Sequence, residues 1–380
     1  MKQINLSSVH LSGNEIKYIE RAINRKEVSN YGENLELFEK QLRAYFSNKT
    51  KIALLNSGTA AIHLALIHLG VKLGDEVICQ SFTFSASVNP IMYQGAKPIF
   101  IDSEAETWNM CPINLEKAIK DRISKGKTPK AIIIVHSYGM PAKMDELLFV
   151  ANKYNVPIIE DAAEALGSTY KGQKCGTFGD YGILSFNGNK IITTSGGGAL
   201  LCKTDKLKEK TMFLSTQARD DAPYYQHSEI GYNYSMSNIA AGIGRAQIEV
   251  LEKHIALRQN VNKFYQELFK SSDGVKVFNE PKPSFISNHW LSCILVEEKK
   301  AGFNNEDLKL ELLKYNIEAR FLWKPMHKQP VFKAYPYYGS NTCNNLFRKG
   351  LCLPSGSNLT QEYKNRIKEV IKNFIIYNKK

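Results

Sequence analysis

The chain has 380 residues, of which 43% are hydrophobic and 23% charged, and its formal net charge is +13. This length suffices for a large domain with a smaller one, and the composition is that of a globular protein. No apolar stretch reaches the ~18 residues of a membrane span, and the start lacks the apolar core of a signal peptide. We therefore expect a cytoplasmic protein without a membrane partner.

The positive charge is spread along the chain and is not massed in one basic arm. A basic protein of this kind can bind nucleic acid or an anionic small molecule. Because no nucleic-acid recognition motif accompanies the charge, we expect the small molecule and no nucleic acid.

The seven cysteines are odd in number and include no CxxC pair. Most stand in or beside apolar runs, where a free thiol behaves as a small hydrophobe. This usage predicts a reducing compartment, with neither a disulfide framework nor a zinc site. His63 and His68 lie five residues apart, not on one helix face, so we expect no metal.

Strands and helices alternate through the first half of the chain, which predicts an α/β fold with a mostly parallel sheet covered by helices on both faces. The predicted helices are Gly13–Asn24, Asn34–Tyr45, Ser87–Tyr93, Asn114–Arg122 and Lys143–Tyr154. The predicted strands are Glu76–Gln80, Pro98–Asp102, Ala131–His136, Val156–Ile159, Tyr181–Phe186 and Ala199–Cys202, and Lys51–Leu69 forms a strand, a turn and a helix.

The pattern changes near Asn238. A long helix is predicted from Ile239 to about Phe269, followed by strand Trp290–Val296, helix Glu306–Tyr315 and a last helix, Gln361–Tyr377. These elements predict a smaller α+β domain. We divide the chain into a large domain, 1–245, and a small C-terminal domain, 246–380.

Functional groups stand where predicted strands end between Pro157 and Leu200. One apolar run ends at Asp161, and a second is followed by the turn Asn187-Gly188-Asn189 and by Lys190. Parallel strands would bring this carboxylate and this amine to one sheet edge. Pyridoxal phosphate needs such a pair: the amine condenses with its aldehyde, and the carboxylate holds its ring nitrogen protonated. The simpler alternative is a surface lysine and a strand-end aspartate.

Three further features suit the same cofactor. The Ser57-Gly58-Thr59-Ala60 junction offers free helix amides and hydroxyls to a phosphate, although plain capping would also explain it. Ser185 ends its strand five residues before Lys190 and could reach the phosphate or cap locally. Phe84 follows a strand and could lie on a ring, unless it is a core residue. We expect Asn187, Gly188 and Asn189 to form a turn with positive φ.

Two loops contain candidate binding residues. The loop EARFLWKPMHKQP clusters Arg320, Trp323, Lys324 and His327, which suits a diphosphate and a base, or is simply a solvated basic loop. The other loop is GYNYSMSN at 231–238, in which Ser237 or Asn238 serves as a helix cap. Capping does not explain the presence of Asn233.

With these residues in hand, the chain resembles the sugar-nucleotide aminotransferases of the DegT/StrS type, within the fold type I pyridoxal phosphate enzymes. The most specific motifs are EDAAEALG at 160–167, SFNGNK at 185–190 and GYNYSMSN at 231–238. LWKPMH at 322–327 and LCLPSG at 351–356 are most similar to the branch that aminates 4-keto sugars on UDP.

The resemblance implies a role for each matching position. Lys190 would bind pyridoxal 5'-phosphate covalently and is the catalytic residue. The cofactor-binding set is Gly58, Thr59 and Ser185 at the phosphate, Phe84 on the ring, Asp161 at the ring nitrogen, Glu164 near the ring hydroxyl, and Asn233 at the phosphate of the partner subunit. A homodimer with shared active sites follows. The substrate-binding set is Tyr31, Arg320, Trp323, Lys324 and His327. Many members carry Arg where this chain has Ser235, so this position departs from the family pattern.

We therefore expect an aminotransferase that moves an amino group from L-glutamate to a UDP-linked 4-keto-6-deoxy, 2-acetamido sugar. The alternatives are a GDP- or dTDP-linked substrate, sugar dehydration on the same cofactor, and a catalytically silent binding or regulatory protein. Dehydrating relatives replace the lysine with histidine, so Lys190 favours amino transfer.

Overall fold

A mixed eight-stranded sheet forms the centre of the computed structural model, which describes residues 2–47 and 49–378. The strands are β1 Lys51–Leu55, β2 Glu76–Gln80, β3 Lys97–Ile101, β4 Ala131–Val135, β5 Ile158–Asp161, β6 Thr169–Tyr170, β7 Gln173–Lys174, β8 Tyr181–Ser185, β9 Gly198–Cys202, β10 Val275–Val277, β11 Phe285–Ile286, β12 Ser292–Val296, β13 Arg320–Phe321, β14 Tyr337–Tyr338 and β15 Gly350–Leu353. The order in the sheet is β1-β9-β8-β5-β4-β2-β3-β14.

The helices surround this sheet and a smaller second one. They are α1 Glu15–Asn24, α2 Glu33–Phe46, α3 Gly58–His68, α4 Asn89–Tyr93, α5 Pro112–Ser124, α6 Met144–Lys153, α7 Asp205–Ser215, α8 Asn238–Ile248, α9 Leu251–Phe269, α10 Glu298–Ala301, α11 Asn305–Lys314, α12 Thr342–Lys349 and α13 Gln361–Asn378. The second sheet has the order β10-β12-β15-β13. No helix in the described ranges has the length and apolarity to cross a membrane.

Burial on both faces explains why the central strands read as unbroken apolar runs. Along β4, Ile132 and Ile134 pack into one core cluster while Ile133 and Val135 pack into another on the opposite face. Successive side chains of a strand point to opposite faces, so a strand covered on both sides needs apolar residues throughout. The six strands β14, β3, β2, β4, β5 and β8 run parallel, and β9 is antiparallel to both β1 and β8. The predicted α/β class is confirmed.

The long helix predicted from Ile239 to Phe269 is wrong as one element. It is two helices, α8 and α9, which separate at Glu249 and Val250. The two parts have different neighbours: α8 packs on α1 and α2, whereas α9 contributes Val261 and Tyr265 to the core of the second sheet. A straight helix could not serve both surfaces.

The division near residue 245 stays a prediction, and it falls inside α8. Two segments also cross between the parts. Ile4 bridges Ile317 and lies in the core of the second sheet, and β14 pairs in parallel with β3 at the edge of the large sheet. The sequence analysis did not predict α12, β14 or β15.

Candidate active site

A cavity of about 310 Å³ opens where β5 and β8 end and α3 begins. Eight of the predicted site residues line it: Gly58, Thr59, Phe84, Asp161, Glu164, Ser185, Lys190 and Trp323. Parallel strands that end at one sheet edge place their terminal side chains together, which is why residues far apart in sequence meet here.

Lys190 enters the cavity from the turn after β8. Its N–H donates to the carbonyl of Asn187 at 3.0 Å, which closes the turn. Its Nζ lies 3.7 Å from Glu164 Oε1 and 4.2 Å from the centroid of the Trp290 ring. None of Asn187, Gly188 and Asn189 has a positive φ, so the expectation of a left-handed turn is wrong.

Asp161 is the last residue of β5, and its side chain is buried at the floor of the cavity. Ser87 Oγ donates to Oδ2 at 2.7 Å, and the Ala163 N–H donates to Oδ1 at 3.1 Å. No salt bridge among residues 2–47 and 49–378 involves this carboxylate. A buried carboxylate without a cation is costly, so this one can be stabilised by a cationic ligand group.

Glu160 precedes Asp161 and points to the other face of the sheet, as strand alternation requires. It is fully buried, receives the N–H groups of Phe178 and Gly179, and bonds to His136 Nε2 at 2.8 Å. Of the two acids that end this strand, only Asp161 faces the cavity.

Glu164 provides a second buried carboxyl group beside Lys190. It accepts the Tyr138 N–H at 2.7 Å. Burial raises the pKa of Glu164, while the neighbouring Lys190 opposes the shift. The pair therefore puts an amine and a carboxyl group that can exchange or share protons at one side of the cavity.

The N-terminus of α3 forms the opposite side. Ser57 caps the helix by accepting the Ala60 N–H at 3.0 Å. The N–H groups of Gly58 and Thr59 have no acceptor within the described part of the chain, as is usual in a first helical turn. A Cβ at Gly58 would lie 3.2 Å from the Ser185 Cβ, so glycine permits the close approach of α3 to β8. Unpaired amides at a helix N-terminus bind anions.

Aromatic side chains complete the cavity. Phe84 is 52% exposed, and its ring centroid lies 5.4 Å from that of Trp323. Trp323 is nearly parallel to Tyr138 and Trp290, with centroids 5.8 and 6.5 Å away. Phe84 is thus available to a ring ligand, whereas Phe82 is buried in the core.

Five predicted residues do not line the cavity of their own chain. Tyr31 and Asn233 are exposed, and the Asn233 carbonyl accepts the side chain of Asn56. Arg320 is exposed and forms an ion pair with Glu318. Lys324 is exposed as well. Their roles stay predictions, and for Arg320 the structure provides a different partner.

His327, the fifth of these residues, has a structural environment. Its Nδ1 bonds to Ser81 Oγ at 2.7 Å, and its ring stacks on Tyr337 at 3.8 Å. Burial lowers the pKa of His327 to about 4, which favours the neutral ring at pH 7. Its role in substrate binding stays a prediction.

Three residues of the cavity make contacts with the predicted site residues but were not themselves predicted. Ser87 donates to Asp161, Asn56 holds the loop of Asn233, and Trp290 lies beside Lys190. Ser87 stands in the same SFTFSAS stretch as Phe84, which was a usable signal. Trp290 was read as the start of a strand, and nothing local distinguishes it from a core residue.

One cluster of potential metal ligands occurs in the described residues: His136, Glu160 and Cys175, all buried. The polar atoms of His136 and Glu160 are already paired. His136 Nδ1 accepts the Ala142 N–H, and Glu160 receives both His136 and backbone N–H groups. The expectation of no metal stays a prediction. All seven cysteines are free thiols.

Comparison with known proteins identifies relatives along the whole chain. The family model described as the DegT/DnrJ/EryC1/StrS aminotransferase family matches residues 10–372. The protein of Bacillus subtilis named "Putative pyridoxal phosphate-dependent aminotransferase EpsN" is 48% identical over 97% of this chain and 95% of its own. GDP-perosamine synthase of Escherichia coli O157:H7 is 36% identical over 98% and 99%.

A more distant relative carries a UDP-sugar name. The UDP-4-amino-4,6-dideoxy-N-acetyl-beta-L-altrosamine transaminase of Campylobacter jejuni is 31% identical over 87% of this chain and 86% of its own. Among solved structures, the PLP form of the sugar aminotransferase Spr1654 from Streptococcus pneumoniae superposes with a TM-score of 0.90. It is 26% identical and covers 99% of this chain and 100% of its own.

The fold and the site define a pyridoxal phosphate-dependent aminotransferase with a sugar substrate. The chain belongs to the DegT/DnrJ/EryC1/StrS aminotransferase family.

The residues of the cavity fit pyridoxal phosphate. The cofactor supplies an aldehyde and a protonated ring that withdraws electrons. Lys190 would hold the aldehyde carbon, the uncompensated carboxylate of Asp161 would hold the ring N–H, and Phe84 would cover the ring. The free amides of Gly58 and Thr59, with the Ser185 hydroxyl, would hold the phosphate.

Proposed function

We propose that this sugar aminotransferase transfers the amino group of L-glutamate to a UDP-linked 4-keto-6-deoxy sugar, one with a 2-acetamido group. Lys190 Nζ serves as the base that removes the proton from the donor Cα. Glu164, whose Oε1 lies 3.7 Å from this Nζ, accepts that proton from Lys190 or returns it. The side chains of Lys190 and Glu164 are 12% and 5% exposed, so little water reaches these atoms.

The observation that carries amino transfer is the amine of Lys190 inside the cavity, with Asp161 at its floor. A dehydration reaction needs the amino form of the cofactor to stay bound, and it therefore needs a site without a lysine that could convert that form back. A silent binding protein has no use for a buried carboxylate opposite a lysine. Both alternatives are therefore disfavoured by the same pair.

The UDP group is supported by two segments, LWKPMH at 322–327 and LCLPSG at 351–356, which resemble the UDP-sugar branch. The second segment contains the end of β15, and the first contains Trp323, which lines the cavity. The name of the Campylobacter jejuni relative is that of an enzyme of UDP sugars.

A second candidate is a GDP-linked 4-keto sugar. It is favoured by the higher identity to the Escherichia coli relative, 36% against 31%, and that relative's name is GDP-perosamine synthase. The two nucleotides differ only in the contacts that the base and the ribose make, and these contacts lie outside the sugar pocket. The amino-transfer chemistry is the same in both.

A panel assay separates these candidates. The purified protein is given L-glutamate and matched UDP-, GDP- and dTDP-linked 4-keto-6-deoxy sugars, and 2-oxoglutarate and the amino sugar are measured. We expect the largest kcat/KM with the UDP sugar. A larger kcat/KM with the GDP sugar would establish the second candidate, and loss of a sugar hydroxyl without amination would establish dehydration.

We further propose a homodimer in the cytoplasm. Asn233 is exposed and lies outside the cavity of its own chain, so its amide is available to the phosphate site of a second copy. Complete sites then require two chains.

A further inference from the structure

The backbone carbonyl of Asn189, the residue before Lys190, accepts hydrogen bonds from two side chains outside its own turn. The Trp290 indole N–H donates to it at 2.7 Å, and the Ser7 hydroxyl donates to it at 3.0 Å. A carbonyl oxygen has two lone pairs, so these two bonds saturate it. The peptide plane that leads into Lys190 is therefore held in one orientation by two segments distant in sequence.

One guanidinium holds both donors. Arg258, on α9, donates to the Trp290 carbonyl at 2.6 Å and to Ser7 Oγ at 3.0 Å. A longer bond, at 3.3 Å, reaches the Ser355 carbonyl. Arg258 thus links the N-terminal segment, the start of β12 and the end of β15 behind the turn of Lys190.

The location of Arg258 is energetically unfavourable. The side chain is 1% exposed, and its Nε has no partner within the described residues. Burial lowers the pKa of Arg258 to about 10, and no carboxylate contributes to the shift. Burying a charge without an ion-pair partner costs free energy. Its three directed bonds are what an apolar side chain would not supply.

Trp290 also contacts the amine itself. Lys190 Nζ lies 4.2 Å from the centre of the indole, a distance typical of a cation on an aromatic face. Trp290 is 2% exposed, and its backbone N–H donates to Asn288 Oδ1 at 2.8 Å. The ring is therefore a fixed surface beneath the lysine.

We propose that Arg258, Trp290 and Ser7 are positioning residues for Lys190: they fix the Asn189 carbonyl and so direct the lysine amine at the cofactor aldehyde. This rests on the proposed function only in taking Lys190 as the reactive amine. The N-terminal segment pairs with the predicted small domain through Ile4 and, through Ser7, also becomes part of the active-site architecture.

The test measures the rate at which Lys190 captures the cofactor. Protein freed of cofactor is mixed with pyridoxal phosphate, samples are reduced with borohydride at timed intervals, and the labelled fraction of Lys190 is read by peptide mass. Trp290→Phe keeps a ring but loses the N–H, and Ser7→Ala loses the hydroxyl. Each variant loses one hydrogen bond to the Asn189 carbonyl, and Ser7→Ala also loses the bond that it accepts from Arg258. We therefore expect labelling slower by about threefold to tenfold, and slower still in the double variant.

Matched controls have the same chemistry elsewhere. Ser8 lies on the same segment but bonds to Asn358, and Trp108 is buried against Phe278. Ser8→Ala and Trp108→Phe should label at the wild-type rate, and melting temperatures are measured for all variants. Labelling of Trp290→Phe and Ser7→Ala at the wild-type rate would overturn the proposal. Labelling that is also slower in Trp108→Phe, and that slows in all variants in step with their loss of melting temperature, would overturn it too. If wild-type label falls on another lysine, the proposed function fails with it.

Discussion

At the scale of single residues, neighbours in sequence have opposite tasks. Glu160 and Asp161 end the same strand, but Glu160 is tied to backbone N–H groups and His136 on one face. Asp161 faces the cavity, and within the described residues its side chain accepts hydrogen bonds from Ser87 and Ala163 alone. The alternation of strand side chains decides which acid is available to a ligand.

We predict that Asp161→Asn lowers kcat by about tenfold to a hundredfold, because a charge-assisted hydrogen bond contributes about 1.5–3 kcal/mol. The amide is isosteric: its oxygen can accept from the Ala163 N–H while its NH2 group donates to Ser87 Oγ, so the melting temperature should stay close to that of the wild type. Steady-state kinetics and thermal unfolding measure the two effects.

Asp145→Asn is the control, since Asp145 is an exposed residue that pairs with Lys171. It should leave kcat unchanged. A kcat near the wild-type value in Asp161→Asn would show that Asp161 does not hold the ring nitrogen.

At the scale of elements, α3 combines a binding end with a buried body. Its N-terminus presents free amides at the cavity, while Ala61, Leu64 and Ala65 are buried in the core. His63 is buried among them, with Nδ1 3.2 Å from the Tyr234 hydroxyl and Nε2 2.6 Å from the Gln94 amide nitrogen. The helix therefore tolerates this imidazole only in its neutral form.

The stability of the protein should fall as the pH falls from about 6.5 to about 4. Burial lowers the pKa of His63 to about 4, while in the unfolded chain it is about 6.5. Between these values the unfolded state binds the additional proton, so acid favours unfolding. The effect is on the order of 1 kcal/mol per pH unit for one such group.

Melting temperatures measured across this range test the prediction. His63→Gln keeps hydrogen-bonding groups without the titration, so its melting temperature should fall less steeply with acid. His227→Gln, at an exposed position, should follow the wild type. An equally steep fall in His63→Gln and the wild type would place the acid sensitivity elsewhere.

At the scale of the whole molecule, the proposed site spans two chains. The GYNYSMSN segment crosses the end of β1, where Asn56 and Leu55 pair with it, and leaves the Asn233 side chain outside its own cavity. If Asn233 reaches the phosphate of a second copy, each site combines Lys190 of one protomer with Asn233 of its partner.

Mixing two inactive variants should then restore activity. In a mixed dimer of Lys190→Ala and Asn233→Asp, one site has both defects and the other has none, so up to one good site per heterodimer is expected. The added carboxylate at 233 repels a phosphate, so the Asn233→Asp homodimer should bind cofactor weakly. Recovered activity after subunit exchange is the measurement. Absence of recovery, with exchange demonstrated and the Asn233→Asp parent inactive, would place Asn233 outside the partner's site.

The sequence predicted the parts of the site that depend on local pattern. Strand ends, the α3 junction and the SFNGNK turn are contiguous signals, and Gly58, Asp161, Ser185 and Lys190 do meet in one cavity. Contacts between distant segments left no such signal. The bonds from Ser7 and Trp290 to Asn189 depend on how the N-terminus and β12 return to the large sheet.

The local sequence pattern also did not predict which partners these side chains would have. Arg320 and His327 look like anion-binding residues in the sequence, but Arg320 pairs with Glu318, and His327 is half-buried with a pKa lowered to about 4. The break between α8 and α9 follows from their different neighbours, which an uninterrupted helical pattern does not reveal.

The most direct measurement concerns Lys190 in the wild-type protein with bound cofactor. Borohydride reduction followed by peptide mapping should place the pyridoxyl label on Lys190 alone, and Lys190→Ala should bind the cofactor without covalent label and lose turnover. Label on a different lysine, or turnover in Lys190→Ala, would contradict the account.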